Sequence, residues 1–139
     1  MEQHDIKLTK KEFALLNKEN RLRNNVSTRD RAIEITKIFL KKKACITIHA
    51  KPKAVGADLS YTLKNDVVNI EVKGTNSEDI AWGKLKVSGN ASCEGINDNW
   101  PVYRVTRVFE QTPSIFILKH GVDFTLKSEP RWRFIRCSQ

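Results

Sequence analysis

The chain has 139 residues, 40% hydrophobic and 29% charged, with 6 Gly and 4 Pro, a composition that suits one globular core and excludes disordered, collagen-like and linker-rich classes. Its formal net charge of +9 is unevenly placed: residues 1–53 hold 14 Lys and Arg against 6 Asp and Glu, residues 54–100 hold 4 against 7, and residues 101–139 hold 7 against 3. Basic flanks around an acidic middle fit a polyanion gripped by the flanks while carboxylates meet it, with a metal ion between.

No apolar run approaches the roughly 20 residues that cross a bilayer, and Met1–Asp5 opens without a basic patch and apolar stretch. The expectation is a cytoplasmic protein without a membrane segment. Cys45, Cys93 and Cys137 are odd in number and far apart, which favours reduced thiols over disulfides or a zinc site.

In chain order, Lys10–Arg23 sets Phe13 and Leu16 among charges and predicts a short amphipathic helix, ended by Asn24-Asn25. Ser27 and Asp30 form a capping-box pattern for a second helix to about Lys43, with Ala32, Ile35, Ile38 and Phe39 as its buried stripe. From Ala44 the pattern turns to strands: Cys45–His49, Val55–Leu63, Val67–Lys73, Val102–Phe109, Ile115–Leu118 and an aromatic run Trp132–Ile135. A short helix is expected after Ser88. With no repeat or linker, the chain reads as one domain over 1–139, an α/β or α+β fold with a helical extension at 1–25 and a core at 27–139.

Chemistry concentrates in Gly56–Thr75. Val68, Ile70 and Val72 alternate with Asn69, Glu71 and Lys73, so one strand buries the apolar set and turns Glu71 and Lys73 to the other face. A two-residue turn at Asn65-Asp66 pairs Lys64 with Val67, placing Asp58 opposite Lys73 and Ser60 opposite Glu71. Two carboxylates beside an ammonium suit a hard divalent ion and a phosphate, with the lysine orienting or helping deprotonate a water or stabilising charge on phosphorus. An amphipathic strand with solvent-facing Glu71 and Lys73 satisfies the triplet alone equally well.

The combination of Gly56-Ala57-Asp58, an apolar strand, and Ile70-Glu71-Val72-Lys73-Gly74-Thr75, with its acids 13 residues apart, resembles the core of the PD-(D/E)XK nuclease superfamily. Ala57 stands where that pattern has proline. The resemblance covers about 20 residues closely. It implies a restriction-endonuclease-like mixed sheet flanked by helices, dependence on Mg²⁺ or Mn²⁺, and phosphodiester hydrolysis. It also implies Asp58 and Glu71 as metal ligands together with the Val72 carbonyl, Lys73 as the catalytic lysine, and Glu34 completing the site from the preceding helix. Glu34 pairing with Arg31 or Lys37 is the alternative. Lys84 and Lys86 follow the motif where members place basic residues, and a solvated surface is their other reading.

Arg29, Arg31, Arg104 and Arg107 are candidate phosphate contacts, or else solubilising charges. Trp82, Trp100 and Trp132 suit either a core or a stack on unpaired bases. The histidines fall in no metal-binding pattern. The expected function is a metal-dependent DNA endonuclease, restriction-type or structure-selective, with a homodimer where both strands are cut. The alternative is a non-catalytic nucleic-acid-binding module or a partner subunit of a restriction or repair complex.

Overall fold

The computed structural model describes residues 1–128 and 135–137. In chain order the elements are β1 (Glu2–Asp5), α1 (Lys10–Glu19), α2 (Asn25–Lys41), β2 (Ile46–Ile48), β3 (Leu59–Leu63), β4 (Asp66–Gly74), a 3₁₀ turn (Trp82–Lys84), α3 (Asn90–Asn97), β5 (Val102–Thr106) and β6 (Ser114–Leu118). The strands form one mixed sheet ordered β1-β6-β5-β4-β3-β2. β4 and β5 run parallel, and each other neighbouring pair is antiparallel. A parallel pair needs a crossover; here the 3₁₀ turn and α3 supply it.

Alternation along the strands gives the sheet two apolar faces. On one, Leu59, Tyr61, Ile70, Val72, Tyr103, Val105, Ile115 and Ile117 pack with Ala32, Ile35 and Phe39 of α2. On the other, Val102 and Leu118 join Ile96 of α3 and Ile80 in a smaller core. Period two therefore turns Glu71 and Lys73 toward this second face, where β4 meets Val102 and Arg104 of β5 in register.

Several boundaries differ from those the sequence predicts. α1 stops at Glu19, and Asn24, read as a helix stop, is the N-cap of α2, accepting from the Ser27 amide at 2.8 Å. Ser27 is thus inside the helix. The run from Val55 becomes strand only at Leu59, because Gly56 takes a left-handed φ of 88°. β1 was not predicted; its polar residues pair with β6. The strand expected over Trp132–Ile135 lies outside the described residues except Ile135, which is exposed.

The hairpin register also differs. The turn is Lys64-Asn65, with Lys64 at φ 57°, and Leu63 pairs with Asp66. Asp66 joins the strand, so the pairing slides by two residues and every side chain keeps its predicted face. Ser60 sits opposite Asn69, not Glu71.

α2 is seated on the end of β4 by Gly74, where an added Cβ would lie 2.7 Å from both the Ala32 Cβ and the Thr28 carbonyl oxygen. Gly74→Ala is therefore expected to cost about 1–3 kcal/mol by overpacking and to lower Tm by several degrees. Gly83, with no neighbour within 4 Å of an added Cβ, is the control. Equal Tm for the two variants in thermal unfolding would contradict this seating.

Candidate active site

The two-residue slide brings Asp58 level with Glu71 instead of Lys73. The Asp58 amide donates to the Ile70 carbonyl at 3.0 Å, and its carboxylate Oδ2 accepts from the Val72 amide at 2.8 Å. Residues 70 and 72 of β4 present their amides and carbonyls to the β3 side, while the Glu71 amide donates to Pro101 on the other. A residue's N–H and C=O leave a strand on the same side, so the Val72 carbonyl faces the edge where Asp58 lies.

Two further contacts fix the Asp58 loop. The Ser60 hydroxyl donates to Asn69 Oδ1 at 2.6 Å and accepts from the Lys53 amide at 2.9 Å. At Gly56 an added Cβ would approach the Ala91 Cβ to 2.8 Å, and Ser92 donates to the Gly56 carbonyl at 3.1 Å. Glycine at 56 thus serves both the positive φ and the close approach of α3. Ser60, expected opposite Glu71, instead bonds Asn69 and the Lys53 amide, and Ser92 was not singled out from sequence.

The Glu71 side chain is 4% exposed and that of Asp58 14%. Lys73 Nζ lies 3.4 Å from Glu71 Oε1, whereas Glu71 Oε2 is buried with no hydrogen-bond partner. Burial first, and the Asp58 carboxylate second, push the Glu71 pKa up to about 7, with Lys73 opposing them. Arg29 reaches in from α2, its Nη2 3.5 Å from Asp58 Oδ1, on a side chain 63% exposed.

This donor set fits a hard cation. An orphaned buried carboxylate oxygen, a second carboxylate beside it and a backbone carbonyl on the same edge are oxygen ligands of the kind Mg²⁺ takes while keeping its own waters. Among the described residues, no group of three or more His, Cys, Asp or Glu could hold a metal.

The structure does not bring Glu34 to this pair. Its Oε1 accepts from Lys37 at 3.2 Å, and it lines a separate surface hollow with Glu19, Asn20, Asp30, Ile33 and Lys37. Two positions from Ala32, it faces away from Gly74 on α2.

Two of the arginines expected on phosphates are core residues. Arg31 is fully buried; its Nε donates to the Val108 carbonyl at 2.6 Å, its Nη1 to Asn17 Oδ1 at 3.1 Å, and its guanidinium stacks 4.8 Å above the Phe109 ring. Arg104 is 2% exposed and donates to the carbonyls of Ile80 at 2.7 Å, Gly74 at 3.1 Å and Ala81 at 3.4 Å. These acceptors replace much of the water that a buried guanidinium loses, though Arg31 Nη2 is buried without a partner. Neither can meet a phosphate. Arg107 is half-buried at a φ of 53°, its Nε buried without a partner. Arg29, Lys84 and Lys86 are exposed.

The histidines stand apart from Asp58 and Glu71: His49 bonds Thr62, His4 lies 3.2 Å from Glu2 and against Phe39, and His120 packs on Phe124. Cys45, Cys93 and Cys137 are free thiols. No helix among the described residues is long and apolar enough to cross a membrane. Comparison of the chain with protein-family models, with curated proteins and with solved structures finds no match.

The raised pKa makes a stability prediction. Folded Glu71 holds its proton more tightly than the unfolded chain, so this contribution is full below the ordinary value of 4.5 and is lost as pH rises through about 7. Glu71→Gln lacks the titration. In thermal unfolding with chelator, its Tm advantage over wild type should be larger at about pH 8 than at about pH 5. An equal difference at both pH values would show that Glu71 is not held as a buried, crowded carboxyl.

Proposed function

We propose that the chain is a metal-dependent DNA endonuclease whose site is Asp58, Glu71 and Lys73. The observation that carries this reading is the buried Glu71 carboxylate, one oxygen unpaired and the other 3.4 Å from Lys73, with Asp58 aligned to it by the Val72 amide. A chain that merely displayed these residues on a solvated strand would have no need to bury Glu71 at such electrostatic expense. A mixed sheet with α2 packed on one face and α3 on the other supports this reading.

Asp58, Glu71 and the Val72 carbonyl would hold Mg²⁺ or Mn²⁺. When bound, such an ion polarises a phosphoryl oxygen and lowers the pKa of its own water. Lys73 presents its ammonium on the same sheet face, where it stabilises charge building on the phosphoryl oxygens and orients the attacking water. Arg29 neutralises Asp58 while no other cation does. Its exposed side chain can turn outward to a backbone phosphate once the carboxylate is otherwise engaged. Lys84 and Lys86 extend the basic surface from the 3₁₀ turn. One such site cuts one strand per encounter, so double-strand cleavage calls for a homodimer.

Incubating plasmid with the purified chain and Mg²⁺ or Mn²⁺, with and without chelator, tests the reading. Lys73→Ala should slow cleavage at least about a hundredfold while leaving DNA binding nearly intact, and Asp58→Asn should abolish metal-dependent cutting. Near-wild-type cutting by both variants rejects the site. If the wild-type chain cuts no duplex, nicked, branched or single-stranded DNA, the fold serves as a binding module.

A further inference from the structure

A cavity of about 170 Å³ opens beside Lys73, walled by Trp82, Leu85, Val87, Phe124 and Leu126. It shares Leu85, Val87, Thr125 and Leu126 with a second hollow of about 400 Å³ that runs on past Lys86 and Lys127 to Ser88 and Asn90. The pair makes a groove that is apolar where it leaves Lys73 and polar and basic further out.

We propose that the apolar cavity takes the base of an unpaired DNA nucleotide next to the scissile phosphate, making the enzyme selective for single-stranded or gapped DNA. The inference rests on the nuclease reading, since Lys73 is both the lysine of that site and a wall of the cavity.

Three observations choose this occupant. The first is charge. Among the described residues no acidic residue lines either hollow and three lysines do, whereas other surface hollows carry carboxylates: Asp5 beside Lys7, Lys42 and Lys43, Glu19 with Asp30 and Glu34, or Glu94 with Asp98. Lysines in that setting match a polyanion along this groove. Size is the second. The cavity is smaller than the roughly 300–1,000 Å³ of sites that enclose a whole drug-sized molecule and suits one ring system, with sugar and phosphate left at the mouth.

The third is the way Trp82 is held. The residue is 47% exposed at the rim and follows Ala81, a non-glycine residue at φ 52°, a conformation that persists only where its surroundings enforce it. Buried Arg104 does the enforcing, through the Ile80 and Ala81 carbonyls on one side and Gly74 at the end of β4 on the other. One guanidinium thus locks the rim tryptophan to the strand that bears Glu71 and Lys73. A stacking platform needs such fixity, and a merely solvated tryptophan does not. A base inside a duplex is stacked and paired and cannot enter, so the cavity favours DNA with a free base.

The test is fluorescence-anisotropy titration of labelled DNA of one sequence as single strand, gapped duplex and intact duplex, in chelator so that nothing is cut. The wild-type chain should bind the single strand and the gapped duplex more tightly than the intact duplex. Trp82→Ala should lower that ratio about tenfold, as loss of one stacked base does, and Trp82→Phe should restore most of it. A wild-type chain with no preference, or a Trp82→Ala variant with the wild-type ratio, overturns the proposal. Binding without metal keeps this separate from the chemistry. Trp82-dependent selectivity in a chain that never cuts would sink the nuclease and leave the base pocket. Metal-dependent cutting with an unchanged ratio would do the reverse.

Discussion

Everything in the candidate site follows from one unfavourable placement: the Glu71 carboxylate is buried on β4 beside a second carboxylate. Taking a charged carboxyl out of water costs several kcal/mol unless partners replace the solvent, and here only one of its oxygens has a partner, Lys73. The consequence is a pKa near 7. A stable fold tolerates such a residue only if its neighbours cannot relax around it. Asp58 is pinned by the Val72 amide, the Asp58 loop by Ser60, and Gly56 by α3.

The two buried arginines explain how so small a chain keeps that rigidity. Arg31 ties α2 to the segment after β5 through Val108 and to the end of α1 through Asn17 and Asn20. Arg104 ties β5 to β4 and to the loop ahead of Trp82. Each spends its charge on backbone carbonyls in the interior, and burial lowers the pKa of both. The basic surface left for a polyanion is therefore narrower than +9 suggests. Arg29 and the lysines around the groove beside β4 are part of that exposed basic surface, as are Lys7, Lys42 and Lys43.

The parts of this that could be read from sequence are those with a period. Val68, Ile70 and Val72 alternate strictly, so β4 and the shared face of Glu71 and Lys73 were legible, as was the α2 stripe of Ala32, Ile35 and Phe39. The hairpin turn was not, because Asn65-Asp66 and Lys64-Asn65 both offer turn chemistry and only tertiary packing chooses between them. The error was two residues, which preserved the face and spared the clustering of Asp58 with Glu71. β1 has no apolar alternation and exists through its pairing with β6. An arginine's spacing says nothing of whether carbonyls await it in the core, so Arg31 and Arg104 looked like phosphate contacts. Likewise, nothing local separates Glu34 on the outer face of α2 from a third acid of the site; its distance from the pair is set by how Gly74 seats the helix.

The central claim is that Asp58 and Glu71 share one divalent ion. Titrating the chain with Mn²⁺ and following the free ion by electron paramagnetic resonance measures this without requiring any substrate. One Mn²⁺ per chain is expected, with binding that strengthens as pH rises through the range where Glu71 loses its proton, about 7, and that is lost in Asp58→Asn and Glu71→Gln alike. Stoichiometric binding that survives both substitutions would place the ion elsewhere and contradict the site.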